Sequence, residues 1–165
     1  MAVDYKNTLN LPQTGFAMKA DLVTREPERL KQWEAARLYH QIQAARADGP
    51  KFVLHDGPPF ANGDVHIGTA LNKILKDFIV KYQTLRGKSA PYVPGWDCHG
   101  LPIEFKVSQE MRKAGRTEAD PVTIRTACEA YARKYIDIQR GQFKRLGVLG
   151  DWDQPYLTFN KEYEA

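Results

Sequence analysis

The stretch Asp56–Asp77, DGPPFANGDVHIGTALNKILKD, places a cluster of turn-forming residues directly before a segment with helical spacing. Two prolines, three glycines and an asparagine gather at this junction. At the start of a helix, unpaired backbone N–H groups and the positive end of the helix dipole attract anions. The junction is therefore predicted to hold an anion such as a phosphate. A tight turn with a core histidine is the alternative interpretation.

Individual residues of this junction suit phosphate chemistry. His66 and Thr69 stand three positions apart, so both side chains are predicted to face the same space across the first helical turn. A histidine there can donate a hydrogen bond to a phosphate oxygen as negative charge builds in a transition state. Gly57, Gly63 and Gly68 allow a phosphate or a ring to approach the backbone closely. The spacing matches neither a Walker A loop nor the GxGxxG pattern.

The segments on either side of the junction have strand-like and helical patterns. Residues 51–56, KFVLHD, form a short apolar segment that predicts a buried strand. Residues 67–87 predict a strongly amphipathic helix that ends at Gly87. A short extended segment at 91–93 and a turn at 94–95 follow it. The apolar side chains that recur with helical spacing are Leu71, Ile74, Leu75, Phe78, Ile79 and Tyr82.

The N-terminal part of the chain is predicted to contain an irregular polar arm over residues 1–24. Residues 25–49 predict one helix, with Pro27 in its first turn and Gly49 at its end. Pro27 suits the first turn because its missing N–H has no helical partner there.

The C-terminal half predicts two more helices. One covers residues 101–115, and a long one begins at Asp120–Pro121 and ends at Gly147. Residues 151–159 predict a loop or a short strand. Because strands alternate with helices through short loops, the sequence favours an α/β fold with a parallel layer. The long helix has an apolar stripe of Ile124, Cys128, Tyr131, Tyr135 and Ile138.

Composition and charge narrow the class of protein. The 165 residues are 42% hydrophobic, enough for a core, and carry a net charge of +4. Basic residues beside Tyr131 and Tyr135 make the long helix a candidate RNA surface, although a solvated outer face is the commoner explanation. Two isolated cysteines, no secretory pattern and no long apolar span predict a reduced, cytoplasmic protein without membrane association.

Metal binding is weakly indicated by Cys98, His99 and His66. Their spacing matches no recurring zinc pattern, and fewer than four good ligands can be named. No metal site is therefore predicted within this sequence. A Cys–His nucleophile pair is also disfavoured, because adjacent residues do not easily orient one another as nucleophile and base.

Residues 58–69, PPFANGDVHIGT, resemble the HIGH signature of the class I aminoacyl-tRNA synthetases. HDGPPFANG, LNKILKDFIVKYQTLRG and PYVPGWDCHGLPIE together resemble the isoleucyl-tRNA synthetases in particular. The resemblance runs over essentially the whole chain. It implies that residues 1–50 form an N-terminal arm and helix. Residues 51–165 would form the first half of a Rossmann-like catalytic domain, with parallel strands and flanking helices, incomplete ahead of the family's editing insertion.

The resemblance also implies an activity and a set of ligands. Isoleucine and ATP with Mg²⁺ would give isoleucyl-adenylate and pyrophosphate, and the acyl group would then pass to tRNA(Ile). The family's zinc is expected only in parts of a full-length enzyme outside this sequence, and the full-length enzyme is expected to be a monomer. The residues implied in nucleotide binding are Pro59, Asn62, Gly63, Gly68 and the two phosphate contacts His66 and Thr69. Those implied in binding the amino acid are Gly57, Pro58, Trp96 and Asp97.

Asp97 is also supported by reasoning from its position. It follows a predicted strand end, at the edge of an α/β sheet where ligands bind. A carboxylate there can pair with a substrate ammonium group through charge-assisted hydrogen bonds. An Asp–Trp turn that packs on the sheet is the alternative.

The sequence departs from the family pattern at Thr69, where the signature has a second histidine. Threonine keeps a hydroxyl donor but is shorter and carries no charge, so reduced activity or a contact through water is expected. The family's second signature, a Lys-Met-Ser-Lys-Ser loop, does not occur in these 165 residues. The chain alone is therefore expected to be inactive. Two alternatives stay open: a truncated non-catalytic paralogue that binds nucleotide or RNA, and a sister synthetase for valine or leucine.

Overall fold

Helices dominate the described part of the chain, which comprises residues 5–10, 14–115 and 120–164 of a computed structural model. A short 3-10 helix, Tyr5–Thr8, lies in the N-terminal arm, whose other described residues have no regular structure up to Ala20. The α-helices are α1 (Leu22–Ala35), α2 (Leu38–Ala45), α3 (Ile67–Leu85), α4 (Leu101–Lys113), α5 (Pro121–Arg145) and α6 (Lys161–Glu164).

The strands are short and parallel, as the sequence predicts. Strand β1 (Gly95–Trp96) pairs with β2 (Tyr156–Leu157), with Gly95 opposite Tyr156. Two single parallel bridges, Lys51 to Ser89 and Phe60 to Asp97, extend the same arrangement. The prediction of a loop or short strand near the C-terminus is confirmed by β2.

The prediction of a buried strand at 51–56 is wrong in one respect. The segment is extended, but its side chains alternate between half-buried and exposed, and Val53 is 76% exposed. Its backbone pairs only at Lys51, where Phe52 N–H donates to the Ser89 carbonyl over 2.8 Å. The predicted turn at 94–95 is also wrong, because Gly95 opens β1.

The single helix predicted over residues 25–49 is two helices in the structure. Arg37 adopts a left-handed conformation with φ 49° between α1 and α2. Pro27 lies inside α1 rather than in its first turn, because the helix begins earlier, at Leu22. The break lets the Tyr39 hydroxyl reach the backbone of Tyr92, accepting from its N–H (3.0 Å) and donating to its carbonyl (3.2 Å).

The other predicted helices are confirmed. Helix α3 ends just before Gly87, which has a positive φ of 86°. Helix α5 begins at Pro121, and the Asp120 carboxylate accepts from the N–H groups of Val122 and Thr123 at 2.9 and 3.1 Å. These local signals act within one helical turn, so the sequence reveals them directly.

The orientation of α3 is unlike that of an ordinary amphipathic helix, which buries its apolar face. Its buried residues are Lys73, Asp77 and Val80. Phe78 on the apolar stripe is 62% exposed, and no described element covers it. The buried charges have partners on other segments: Asp77 accepts from the Leu149 N–H over 3.1 Å. The other exposed residues of the stripe are Leu71, Leu75, Ile79 and Tyr82.

The core lies between β1 and α5 and contains an aromatic cluster. Trp96 and Trp152 have ring centroids 6.1 Å apart, and Phe143 stacks on Trp152 at the same distance. Cys98 is buried in this core and Cys128 is half-buried on α5, both as free thiols. Burial raises the pKa of each thiol. Within the described ranges, the helices are too short or too polar to cross a membrane.

Candidate functional site

The loop that precedes α3 lies directly beside Asp97. The Asp97 N–H donates to the Pro59 carbonyl over 2.9 Å, and the Ala61 N–H donates to the Asp97 carbonyl over 3.0 Å. These two bonds form the parallel bridge between Phe60 and Asp97. The sequence places these segments some 37 residues apart, and the structure brings them together at the end of β1.

His66 is the N-cap of α3. Its extended backbone turns the chain into the helix, and its ring Nδ1 accepts from the N–H groups of Gly68 (3.1 Å) and Thr69 (3.3 Å). Two of the N–H groups predicted to face an anion are therefore bonded to the imidazole. The side chain is exposed rather than buried in the core, so an anion at this position would meet the imidazole edge.

Thr69 completes this arrangement. Its Oγ1 lies 3.0 Å from His66 Nε2, so the two side chains share one space, as their spacing predicts. Because Nδ1 accepts from two backbone donors, the proton of a neutral His66 lies on Nε2 and is donated to Thr69 Oγ1. The Thr69 hydroxyl proton then remains for an acceptor outside the protein.

The glycines of the loop have two different roles. A Cβ at Gly68 would lie 3.0 Å from the His66 ring, so a side chain there would crowd the capping imidazole. A Cβ at Gly57 or Gly63 would meet nothing within 4 Å. The space beside those two residues is open, as a loop that admits a ligand requires. Pro58, Pro59 and Asn62 lie on the same loop and are half-buried.

A buried ionic network anchors the start of this loop. Asp56 binds Lys73, and it also accepts from Lys76 Nζ over 2.5 Å. Lys73 also donates to the Tyr92 hydroxyl over 2.8 Å, and Lys76 donates to the Gly57 carbonyl over 3.3 Å. Burial acts to raise the pKa of Asp56, but the two lysines outweigh it, and the pKa is lowered. The two lysines therefore favour the ionised form of Asp56 and hold the carboxylate at the start of the loop.

Trp96 and Asp97, at the end of β1, lie in different environments. The Asp97 side chain is half-buried, and its Oδ1 accepts from the His99 N–H over 3.2 Å. Trp96, predicted beside the amino acid, is 0% exposed and packs in the aromatic cluster. A direct contact of Trp96 with the amino acid remains a prediction from the resemblance.

Helix α5 holds the loop from its other side. Gln142 Oε1 accepts from the Val65 N–H over 2.8 Å, and the Tyr131 hydroxyl donates to the Asn62 carbonyl over 3.2 Å. Gln139 also contacts this loop, through its Nε2 and the Gly63 carbonyl over 2.7 Å. Sequence reasoning missed the two glutamines, because it read the helix only for apolar and basic residues. The sequence does show two glutamines beside the apolar stripe of this helix, and such amides can bind the backbone of a neighbouring loop.

Four basic residues of α5 are paired with carboxylates. Arg133 pairs with Glu129 at 2.7 Å, and Arg145 pairs with Glu26 at 2.9 Å. The other pairs are Arg140 with Asp137 and Lys144 with Glu34. These contacts favour the solvated outer face over the RNA surface. Among the residues that the structure describes, no three His, Cys, Asp or Glu side chains gather as metal ligands.

A comparison with family models matches residues 28–165 to the class I tRNA synthetases for isoleucine, leucine, methionine and valine. The isoleucine–tRNA ligase of Kosmotoga olearia is 61% identical over 163 residues, which cover 99% of this chain and 18% of that protein. The ligase of the same name from Alcanivorax borkumensis is 62% identical over 162 residues. The chain thus spans less than a fifth of the length of these relatives.

Solved structures support the fold. A ternary complex described as Agrobacterium radiobacter K84 agnB2 LeuRS-tRNA-LeuAMS aligns with a TM-score of 0.64. The alignment covers 88% of this chain and 16% of that protein, at 24% sequence identity. The helix-rich chain with its short parallel sheet therefore has the fold of part of a Rossmann-like synthetase domain.

Proposed function

Because the chain belongs to the class I tRNA synthetases for isoleucine, leucine, methionine and valine, we propose that it forms the N-terminal part of an isoleucine–tRNA ligase active site. In this proposal, residues 51–165 are the first half of the catalytic domain, and the arm and helices of residues 1–50 precede it. The choice of isoleucine is supported by the names of the relatives that are about 60% identical to the chain.

The observation that carries the proposal is the bridge between Phe60 and Asp97. It places a carboxylate beside a loop that leads, within a few residues, to the His66–Thr69 pair. A carboxylate suits the ammonium group of an amino acid, and a hydroxyl donor that the neighbouring imidazole orients suits a phosphate. Adenylation requires the ammonium site and the phosphate site to be neighbours, because the reaction joins the amino acid to the α-phosphate of ATP.

The chemistry of this step needs little covalent help from the protein. A carboxylate oxygen of isoleucine bonds to the α-phosphorus of ATP, and the bond from that phosphorus to the bridging β-phosphate oxygen breaks. Pyrophosphate leaves together with the Mg²⁺ that accompanies ATP. The protein contributes position and charge stabilisation. Transfer of the acyl group to tRNA(Ile) follows in the complete enzyme.

Named residues share this work. Asp97 holds the ammonium group, while the backbone of Gly57 and Pro58 shapes the amino-acid pocket. The Thr69 hydroxyl donates to a phosphate oxygen, and His66 orients that hydroxyl through its Nε2–H. The loop residues that border the nucleotide are Pro59, Asn62, Gly63 and Gly68.

The first test is to read the coding sequence beyond Ala165 and to assay the complete protein for ATP–pyrophosphate exchange. We expect exchange that depends on isoleucine and is weak with valine and leucine. Exchange that prefers leucine or valine would replace isoleucine by a sister substrate. ATP binding without exchange would favour a non-catalytic nucleotide-binding paralogue, the reading that Thr69 in place of histidine leaves open.

A further inference from the structure

Gln139, in the C-terminal half of α5, connects the two sides of the proposed site through the core. Its side chain lies in the core and the residue is 3% exposed. Its Oε1 accepts from Trp96 Nε1 over 2.9 Å. Its Nε2 donates both protons, to the Phe60 carbonyl (3.0 Å) and to the Gly63 carbonyl (2.7 Å). One amide thus binds a strand residue and two positions of the loop.

The groups that Gln139 joins belong to different halves of the reaction. Trp96 directly precedes Asp97, the proposed contact of the amino acid. Phe60 and Gly63 belong to the loop that leads to His66 and the phosphates. A primary amide suits this connection because it accepts and donates at the same time. A buried amide whose hydrogen bonds are all made also holds one conformation, since each lost bond would leave a buried polar group without a partner.

We propose that Gln139 is a positioning residue that sets the spacing between the amino-acid side and the phosphate side of the site. The inference rests on the proposed function, since it concerns the same adenylation step. Gln139 acts only through Trp96 and the loop carbonyls. In-line attack is sensitive to misplacement, and an error of about 1 Å costs roughly 100-fold in rate. Each ligand binds on its own side, so its affinity depends less on that spacing.

Three variants of the complete protein separate positioning from simple packing. Gln139→Glu keeps the side-chain shape and the acceptor for Trp96, but it turns an oxygen toward the two loop carbonyls in place of the donating amide. Trp96→Phe removes the indole N–H and keeps an aromatic ring. Trp152→Phe is the matched control: its indole belongs to the same cluster and donates to the Val148 carbonyl over 3.2 Å, away from the loop.

The measurements are kcat and both KM values in isoleucine-dependent exchange, together with the melting temperature. We expect Gln139→Glu to lower kcat about 10- to 100-fold. Both KM values should stay within about threefold of wild type, the pattern of a loss confined to the transition state. Trp96→Phe should shift kcat in the same direction by less. Trp152→Phe should lower the melting temperature and keep kcat within about twofold.

The inference is overturned if Gln139→Glu lowers only the melting temperature, or if Trp152→Phe loses as much kcat. If Gln139→Glu does not fold, Trp96→Phe with its control decides the question: an unchanged kcat in Trp96→Phe overturns the inference. A wild-type protein that shows no exchange would instead overturn the proposed function, and that result is distinguishable because it precedes any substitution.

Discussion

His66 Nε2 and Thr69 Oγ1 lie 3.0 Å apart at the first turn of α3. The same imidazole accepts two backbone N–H groups through Nδ1, so its orientation and tautomer are set by the helix that it caps. Thr69 Oγ1 therefore accepts a hydrogen bond from the Nε2–H group, and its own hydroxyl can donate in turn. This geometry leaves a hydroxyl donor at the residue that departs from the HIGH signature.

The hydroxyl of Thr69 is expected to support adenylation in the complete protein. Thr69→Val removes a hydrogen bond to a charged phosphate, worth about 1.5–3 kcal/mol, so kcat/KM for ATP should fall roughly 10- to 100-fold. Thr69→Ser keeps the hydroxyl and serves as the control. Pyrophosphate exchange measures both variants. Wild-type kinetics in Thr69→Val would show that the hydroxyl touches no phosphate.

Asp97 is expected to determine the affinity for the amino acid. Asp97→Asn removes the charge that pairs with the ammonium group, and we expect the KM for isoleucine to rise about 10- to 100-fold while the KM for ATP changes little. Asp151→Asn is the matched control, because Asp151 also accepts a nearby backbone N–H, from Gln154 over 3.2 Å. Equal effects of the two substitutions on isoleucine would contradict this assignment.

Asp56 is expected to be the carboxylate on which folding most depends. Asp56→Asn leaves the buried Lys73 charge without its partner, which should lower the free energy of unfolding by about 3–5 kcal/mol. Urea unfolding measures the loss. Glu129→Gln, which breaks the exposed pair with Arg133, should cost at most about 1 kcal/mol. A combined Asp56→Asn, Lys73→Met variant should recover part of the loss, because it removes the unpaired charge.

Acid is expected to weaken the fold through the same network. The folded pKa of Asp56 is lowered, so its contribution is present above the unfolded pKa of about 3.9 and disappears as the pH falls through the folded pKa. Urea unfolding at pH 7, 4 and 3 should therefore show stability that declines below about pH 4. Asp56→Asn should flatten that decline. An equal slope in both proteins would assign the acid sensitivity to other carboxylates.

The exposed apolar stripe of α3 is expected to govern the solubility of the 165-residue chain. Phe78→Glu replaces a side chain that is 62% exposed, so unfolding should change by no more than about 0.5 kcal/mol and self-association should decrease. Light scattering and sedimentation measure the association. Val80→Glu, at a buried position of the same helix, should destabilise strongly. A chain that is already monomeric and melts cooperatively would contradict the expected association.

Much of the local structure can be predicted from the sequence, because the interactions that cause it lie within a few residues of one another. The Asp120 carboxylate caps a turn three residues long, and Gly87 ends α3 at the residue where a positive φ is needed. His66 and Thr69 face one another because a helical turn spans their separation. The resemblance of the loop to a synthetase signature likewise needs only the order of residues.

The tertiary structure decided which surfaces those elements turn inward. Periodicity marks Leu75 and Phe78 as the apolar face of α3, yet Lys73 is buried because Asp56 and Tyr92 receive its charge and its hydrogen bonds. In the sequence, Gln139 looks like an ordinary polar residue of a helix. In the folded chain its amide binds the Gly63 carbonyl of a loop 76 residues earlier. A buried charge or amide is stable only with partners, and partners distant in sequence exist only once the chain has folded.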